Sequence, residues 1–299
     1  MMTKDEFVGQ LIEAVYVLEP DAEIRKEEVV KQNDVVLTGI VIGQGEGAVP
    51  IIYDDGPYEQ YLFGRSVESI AAKCVESIDQ AGIPDADFTF PDIREKVRIK
   101  LLSTEANARY LADKPHREIL DLSVAYYYEL DESASAMVTN AMAERIGITE
   151  RELFNSAVRN LSKDDLSLTP MGSVLGFSEE GPIPMYVLMA EGRYGARALL
   201  DPRTEDLILK AFKGQDCIII PSSVHELIMV PKNGMTEDTD IAGIIEAVNL
   251  NEVDEQEVLS FSVYGYSPKR PEGERVYIEE KRPFLRKEEE KREELGLCI

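Results

Sequence analysis

The chain of 299 residues is poor in cysteine, and its three cysteines, Cys74, Cys217 and Cys298, are widely separated and form no CxxC pair. This spacing provides neither a disulfide framework nor a zinc site, and it is typical of a protein from a reducing compartment. Cys217 opens an apolar run and Cys74 lies in a helical pattern. We therefore expect both thiols to be structural.

Long apolar runs are also missing. Charged residues, beginning with Lys4, Asp5 and Glu6, interrupt the N-terminal stretch, which therefore lacks the apolar segment of a signal peptide. Elsewhere the apolar runs, such as CIII at 217–220, are far too short to cross a bilayer. We predict a cytoplasmic protein without a membrane partner.

Positive charge is scarce, because 32 Lys and Arg residues face 57 Asp and Glu residues and the net charge is −25. Acids and bases nearly cancel over 279–294, so the excess belongs to the rest of the chain. Such a surface repels phosphate backbones and anionic lipids, and we do not expect direct nucleic-acid binding. Docking on a basic protein partner and mimicry of a nucleic acid both remain open.

The N-terminal third has the pattern of a small α+β unit. Thr3 and Glu6 have the spacing of a capping box ahead of an amphipathic helix. The strand patterns AEIRKEEVVKQ and DVVLTGIVIG follow, joined at Asn33-Asp34, and SVESIAAKCVESIDQAG reads as a second helix. We predict a helix-hairpin-helix unit over residues 1–90.

The remainder of the chain predicts a larger α+β domain over 91–280. We expect a helix at 104–111, a strand in the second half of PHREILDLSVAYYYEL, and a loop in SLTPMGSVLGFSEEGPIP. Closely spaced strands, which include MYVLMA, ARALL, DCIIIP and HELIMVP, favour a mixed or antiparallel sheet packed with helices. Alternating charges predict a solvated helix or tail over 281–299.

Several phrases resemble an uncharacterised family of bacterial proteins, mostly from gut clostridia, named domain of unknown function 5688. The matching stretches are YEQYLFGRSVESI, PHREILDLSVAYYYEL, GITERELFNSAVRN and PSSVHELIMVP. They occur in the order that the family has and are spread over most of the chain. The resemblance implies a cytoplasmic bacterial protein and brings no catalytic residue or cofactor with it.

The stretch PSSVHELIMVP at 221–231 gathers Ser222, Ser223, His225 and Glu226, the residue types of a hydrolase. If HELIMVP is a strand, His225 and Glu226 point to opposite faces, and Glu226 cannot orient the imidazole. No GxSxG elbow exposes either serine. We favour a structural hairpin, with a ligand contact or a catalytic role as alternatives.

Other candidates carry weaker signals. His116 could join His225 in an acid-base or metal site, although two such distant histidines give no spacing argument. Asp54 and Asp55 form a carboxylate pair that we interpret as a solvated turn, and GQGEG at 43–47 lacks the ending of a phosphate loop.

The segment GRYGAR places Arg193 and Arg197 around a tyrosine. An arginine pair can clamp an anion, but in so acidic a chain we expect its partners to be the protein's own acids.

The motifs therefore identify no metal site and no cofactor, and leave the question of catalysis open. We favour a non-catalytic interaction or regulatory protein with a protein partner. The alternative is a hydrolase whose site forms around His225 and His116. A second alternative is an acidic protein that mimics nucleic acid.

Overall fold

A computed structural model describes residues 1–42, 51–81, 90–129, 135–176, 184–234 and 240–287. The contacts within the chain divide it into two compact units. We call Met1–Lys31 with Val35–Asp87 the N-terminal unit, and Gln32–Asp34 with Phe88–Ile299 the C-terminal unit.

The N-terminal unit packs helices against a small antiparallel sheet. Its helices are α1 (Lys4–Leu18), α2 (Asp55–Leu62) and α3 (Val67–Ala81), and its strands, in sheet order, are β1 (Ile24–Val30), β2 (Val36–Ile42) and β3 (Ile51–Tyr53). The capping box of Thr3 and Glu6 begins α1 as predicted. Asn33 and Asp34 have positive φ angles of 59° and 53° where the chain turns from β1 to β2.

The core of the N-terminal unit follows the helical period of α1. Phe7, Leu11 and Val15 are fully buried, and the core that they form includes Ile40 from β2 and Ile70 from α3. Residues three and four apart share one face of a helix, so this spacing buries a single stripe against the sheet and α3.

The C-terminal unit contains two antiparallel sheets. The four-stranded sheet comprises β4 (Val97–Ser103), β5 (His116–Ile119), β6 (Leu122–Glu129) and β7 (Ser135–Met137), with β6 between β4 and β5 and β7 paired to β6. The six-stranded sheet has the order β13-β12-β10-β11-β9-β8. Its strands are β8 (Leu166–Pro170), β9 (Tyr186–Ala190), β10 (Cys217–Ile220), β11 (Leu227–Pro231), β12 (Val263–Tyr266) and β13 (Val276–Glu280).

Helices complete this unit and confirm the α+β class. They are α4 (Phe90–Lys96), α5 (Asn140–Ile146), α6 (Glu150–Leu161), α7 (Met171–Leu175), α8 (Thr204–Phe212) and α9 (Ile241–Asn251), with 3₁₀ helices at Gln32–Asp34, Gly195–Leu200 and Lys232–Gly234. Within the described residues, no helix has the length and apolar composition that a membrane span requires.

One large core unites both sheets of the C-terminal unit. Tyr126 and Tyr128 enter it from one face of β6, together with residues such as Leu188 and Leu227 of the six-stranded sheet. Tyr127 is also buried but points to the opposite face of β6, as strand alternation requires. On the outer face of the six-stranded sheet, a second cluster packs against α9.

Three local predictions were wrong. Residues 104–111 form turns instead of a helix, because the Asn107 amide donates to the Ser103 carbonyl and to Asn33 Oδ1 and so competes with helical bonding. ARALL is part of the 3₁₀ helix Gly195–Leu200. The segment SLTPMGSVLGFSEEGPIP was predicted to be a loop, but its first part contains most of β8 and the whole of α7. Strand β8 pairs with β9 along its whole length.

Two further predictions fall largely outside the described residues. GQGEG at 43–47 lies there, as does 288–299 of the predicted charged helix or tail. The preceding residues 281–286 have no regular secondary structure.

Candidate functional site

The serine-histidine stretch lies in the connection between β10 and β11, which pair as the predicted antiparallel hairpin. The strand begins at Leu227, so our placement of His225 and Glu226 inside it was wrong. Ser223 Oγ accepts the His225 backbone N–H at 3.0 Å, and Ser223 forms an isolated β-bridge with Val258. Ser222 is buried and its carbonyl accepts the Leu259 N–H. These contacts turn the chain at Ser223–His225, and β11 therefore begins only at Leu227.

The His225 imidazole is half exposed and has a carboxylate partner. Its Nε2 lies 3.1 Å from Glu257 Oε1, and its ring stacks on that of Tyr194, with centroids 6.0 Å apart. The neighbouring Glu226 is partly buried, and burial raises the pKa of its carboxyl group. The carboxylate that can orient the imidazole is therefore that of Glu257 and not that of Glu226.

Tyr194 of the GRYGAR segment is held in an unusual conformation. Its backbone is left-handed, with φ 56° and ψ 52°. The Nζ atom of the buried Lys100 lies 3.8 Å from the centroid of its ring, a cation-π contact, and the Tyr127 ring meets it edge-on at 5.2 Å. We call Lys100, Tyr127, Tyr194 and His225 the aromatic cluster. It brings together two segments, GRYGAR and PSSVHEL, that the sequence analysis considered separately.

Gly195 makes this approach of the two segments feasible. A Cβ atom at this position would overlap the His225 carbonyl oxygen and would lie 2.7 Å from the Ala190 carbonyl oxygen. Both obstacles are backbone atoms, which cannot rotate away. The close packing of the two chain segments therefore requires glycine.

Arg197 of GRYGAR serves the fold through its side chain, and Arg193 does so through its backbone carbonyl. Arg197 is 2% exposed, donates to Asp164 Oδ2 at 3.0 Å, and also donates to the carbonyls of Glu191 and Arg193. The Arg193 carbonyl additionally accepts the Tyr127 hydroxyl. The Arg197 guanidinium is thus held by one acid and two backbone carbonyls of its own protein, and its buried Nε atom has no hydrogen-bond partner among the described residues.

His116, the other predicted histidine, has a contact of its own. His116 is exposed on β5 and its Nδ1 lies 2.8 Å from the Lys114 carbonyl. Among the described residues, no hydrogen bond or ring contact links His116 to His225.

Asp54 and Asp55 lie in the N-terminal unit. The Lys4 Nζ atom is 2.9 Å from Asp54 Oδ1 and 2.7 Å from Asp55 Oδ1. Asp54 is 3% exposed, and α2 begins at Asp55. The interpretation of this pair as a solvated turn was therefore wrong for the buried Asp54, whereas the Asp55 side chain is exposed. In the described part of the chain, no group of three or more metal-ligating side chains is placed to hold an ion.

The C-terminal unit also contains a cleft of about 540 Å³. Its walls come from the end of β5, the 3₁₀ helix Gly195–Leu200, α8 and the β12-β13 hairpin. The apolar side chains that line it are Ile119, Leu120, Leu199, Leu200, Ile208 and Val276. Leu120 has a positive φ of 54° and is 40% exposed, so an apolar side chain is held at the surface of the cleft.

Each charged group that lines the cleft has a partner within the protein. Arg275 forms an ion pair with Glu205, and the Tyr266 hydroxyl donates to Glu205 Oε1 at 3.4 Å. Burial raises the pKa of Tyr266, which keeps its hydroxyl protonated. Asp201, also on the lining, accepts three hydrogen bonds from Arg203.

The sequence analysis missed several of these residues for identifiable reasons. Lys100 interrupts the apolar strand VRIKLLS, and a lysine in such a run is a usable signal of a buried cation with a specific partner. Glu257 is one acid among 57 and gives no such signal. The cleft is built from segments between residues 119 and 276, which no local motif connects.

Comparison with known proteins gives a family and no activity. No curated protein and no solved structure matches the chain. The model of a family of unknown function (DUF5688) matches residues 4–268, which span both units. The chain therefore belongs to this family, as the quoted motifs predicted.

Proposed function

We propose that the protein is a non-catalytic binding protein of the bacterial cytoplasm, and that the cleft of its C-terminal unit takes a neutral, apolar ligand. The observation that carries this proposal is the cleft itself, with apolar walls and a matched Glu205-Arg275 pair. Its volume falls within the range of about 300–1,000 Å³ that small-molecule sites occupy. The scattered cysteines support the cytoplasmic assignment.

The ion pair argues for a neutral ligand. A bound carboxylate would compete with Glu205 for Arg275, and an amine would compete with Arg275 for Glu205. Either ligand would leave one protein charge without its partner in a partly desolvated site, which is costly. A neutral molecule gains apolar burial and leaves the pair intact.

The polar groups around the cleft support binding in preference to chemistry. The Thr204 hydroxyl donates to the Ala198 carbonyl, Asp201 accepts from Arg203, and Tyr266 donates to Glu205. Each group already has a protein partner, so none has to be satisfied by a reacting substrate. Such a site orients a ligand through shape and apolar contact.

Fluorescence titration with N-phenyl-1-naphthylamine, a neutral apolar probe, tests the proposal. We expect the wild-type protein to bind it and Leu120→Asn to bind it roughly tenfold more weakly, because part of the contact with a leucine side chain is lost. Asparagine tolerates the positive φ of this position. Val174→Asn, which removes a 55% exposed apolar side chain from α7 outside the cleft, is the matched control.

Two outcomes would contradict the proposal. One is a wild-type protein that does not bind the probe. The other is equal binding by Leu120→Asn and Val174→Asn, which would show that the probe adheres to exposed apolar surface without preference for the cleft.

A hydrolase centred on His225 is the second candidate, because the half-exposed imidazole lies 3.1 Å from Glu257 and so has the oriented carboxylate partner of a general base. The described contacts place no hydroxyl on the imidazole, so water would be the nucleophile to be activated. A screen of p-nitrophenyl esters with wild-type protein and folded His225→Ala separates the candidates. Turnover lost in the variant would favour the hydrolase.

Mimicry of a nucleic acid by the acidic surface stays a prediction.

A further inference from the structure

The N-terminal unit is unusually acidic for its size. Residues 1–31 and 35–87 contain 17 acidic and 6 basic side chains, a net charge of −11 in 84 residues. This is close to half of the −25 of the whole chain in little more than a quarter of its length. The field at the surface of this unit therefore attracts cations and repels phosphates.

A groove between α1 and α3 combines this charge with apolar surface. It measures about 310 Å³ and is lined by Gln10, Glu13, Ala14, Val17 and Leu18 of α1 and by Val67 and Glu68 at the start of α3. Val17 is 79% exposed and Leu18 is 45% exposed. Adjacent apolar side chains this exposed, with acids beside them, are a feature of interaction surfaces.

The carboxylates of the groove are not neutralised. Four ion pairs join the described residues of the N-terminal unit, and neither Glu13 nor Glu68 takes part in any of them. The last turn of α1 contains no basic residue, and the carbonyl groups at this end of the helix add partial negative charge. Glu68, in the first turn of α3, accepts hydrogen bonds from its own backbone N–H and from Ser66, which lower the pKa of its exposed carboxyl group and keep it ionised. Among the residues that the structure describes, no lysine or arginine lines the groove.

We propose that this groove is a docking site for a basic protein segment, in which one or two bulky apolar side chains are flanked by lysine or arginine. The apolar residues would cover Val17 and Leu18, and the cations would pair with Glu13 and Glu68. A nucleic acid or an anionic lipid would meet repulsion at the same surface. This site is separate from the cleft of the C-terminal unit and rests on different residues.

Fluorescence polarisation of a short labelled peptide that alternates leucine and lysine tests the docking site in the full chain. We expect wild-type protein to bind the peptide and to bind poorly an analogue with glutamate in place of lysine. Glu13→Lys should weaken binding roughly fivefold, because an ion pair becomes a repulsion at an exposed position. Val17→Asn should weaken it by a similar factor, because apolar contact is lost.

Matched controls separate the groove from general attraction to an acidic protein. Glu28→Lys makes the same change in net charge at an exposed position of β1, and Phe63→Asn removes an 88% exposed aromatic side chain outside the groove. We expect less than a twofold effect from either. All four positions are exposed, so the variants should fold, which circular dichroism would check.

The proposal would be overturned if wild-type protein failed to bind the peptide, or if each groove variant weakened binding no more than its control. Binding of phosphatidylcholine vesicles in place of the peptide would equally contradict it, since Val17 and Leu18 would then contact a membrane surface.

Discussion

The two units distribute negative charge differently. The N-terminal unit carries −11 in 84 residues, whereas the C-terminal unit carries −14 in 215, with 40 acidic and 26 basic side chains. In the C-terminal unit, acids partner basic residues that anchor the fold, as Asp164 does with Arg197 and Glu150 with Arg117. In the N-terminal unit, exposed acids such as Glu13 remain without an ion-pair partner among the described residues.

This difference shows why a net charge says little about function until its location is known. Charge used inside a unit stabilises or specifies packing, and its loss acts on folding. Charge left on the surface changes association with partners and has little effect on stability. The same contrast applies to apolar surface, which forms a cleft with matched charges in one unit and a groove with unmatched acids in the other.

Glycine substitutions should give the largest contrast in stability. Gly195→Ala places a methyl group against two backbone carbonyls in the C-terminal unit and should lower the free energy of unfolding by about 3 kcal/mol or prevent folding. The methyl group of Gly9→Ala, in α1, would have no neighbour within 4 Å. This substitution should raise the free energy of unfolding by roughly 0.5–1 kcal/mol, because alanine favours a helix more than glycine does. Urea denaturation measures both. A neutral Gly195→Ala would mean that GRYGAR and the 221–226 connection are not packed this closely.

Removal of one cation from each unit should give the next largest difference in stability between the two units. Arg197→Met leaves Asp164 without its buried partner and should cost about 3 kcal/mol. Lys26→Met removes an exposed pair with Asp5 and should change stability by less than about 0.5 kcal/mol. Thermal denaturation measures both variants. Equal losses of stability would contradict the claim that internal charge pairs stabilise the fold more than surface pairs do.

The pH dependence of stability should show a smaller effect. It can be tested at two carboxyl groups whose pKa values shift in opposite directions, those of Glu150 and Glu226. The hydrogen bonds from Arg117, with a smaller contribution from Tyr126, lower the pKa of Glu150 below its ordinary value of 4.5. Ionised Glu150 therefore stabilises the fold above that pH, and the contribution is lost as the pH falls through the lower folded value. Glu150→Gln should cost about 1 kcal/mol at pH 7, with the difference from wild type shrinking below pH 4.5.

Glu226 should behave in the opposite sense. Burial raises its pKa, so its ionised form opposes folding at neutral pH, and Glu226→Gln should be slightly more stable than wild type at pH 7. This difference should vanish at acid pH, where both side chains are neutral. Urea denaturation from pH 3 to pH 8 compares the two variants, and loss of stability in Glu226→Gln at pH 7 would contradict the assignment.

Local signals predicted the elements that local chemistry decides. The capping box at Thr3 begins α1, and the apolar runs DCIIIP and HELIMVP form the expected hairpin. Predictions were wrong where distant residues decide the outcome. The loop-like composition of SLTPMG is overruled by pairing with β9, and ARALL cannot continue as a strand after the left-handed Tyr194.

The candidate sites were less predictable than the fold. The sequence directed attention to His225, but its partners Tyr194 and Glu257 are distant in the chain and are brought near only by folding. The cleft gave no signal, because its apolar residues each fit an ordinary helix or strand pattern. The groove could be anticipated only in part, from the acidic composition of the first 90 residues.

Methyl NMR of the full chain, titrated with N-phenyl-1-naphthylamine, tests most directly the claim that the cleft of the C-terminal unit binds a neutral apolar ligand. The account predicts saturable shifts of the methyl resonances of Ile119, Leu200 and Val276, which line the cleft, while those of Val17 and Leu18 in the groove stay in place. Shifts confined to Val17 and Leu18, or no saturable shift at the cleft, would contradict it.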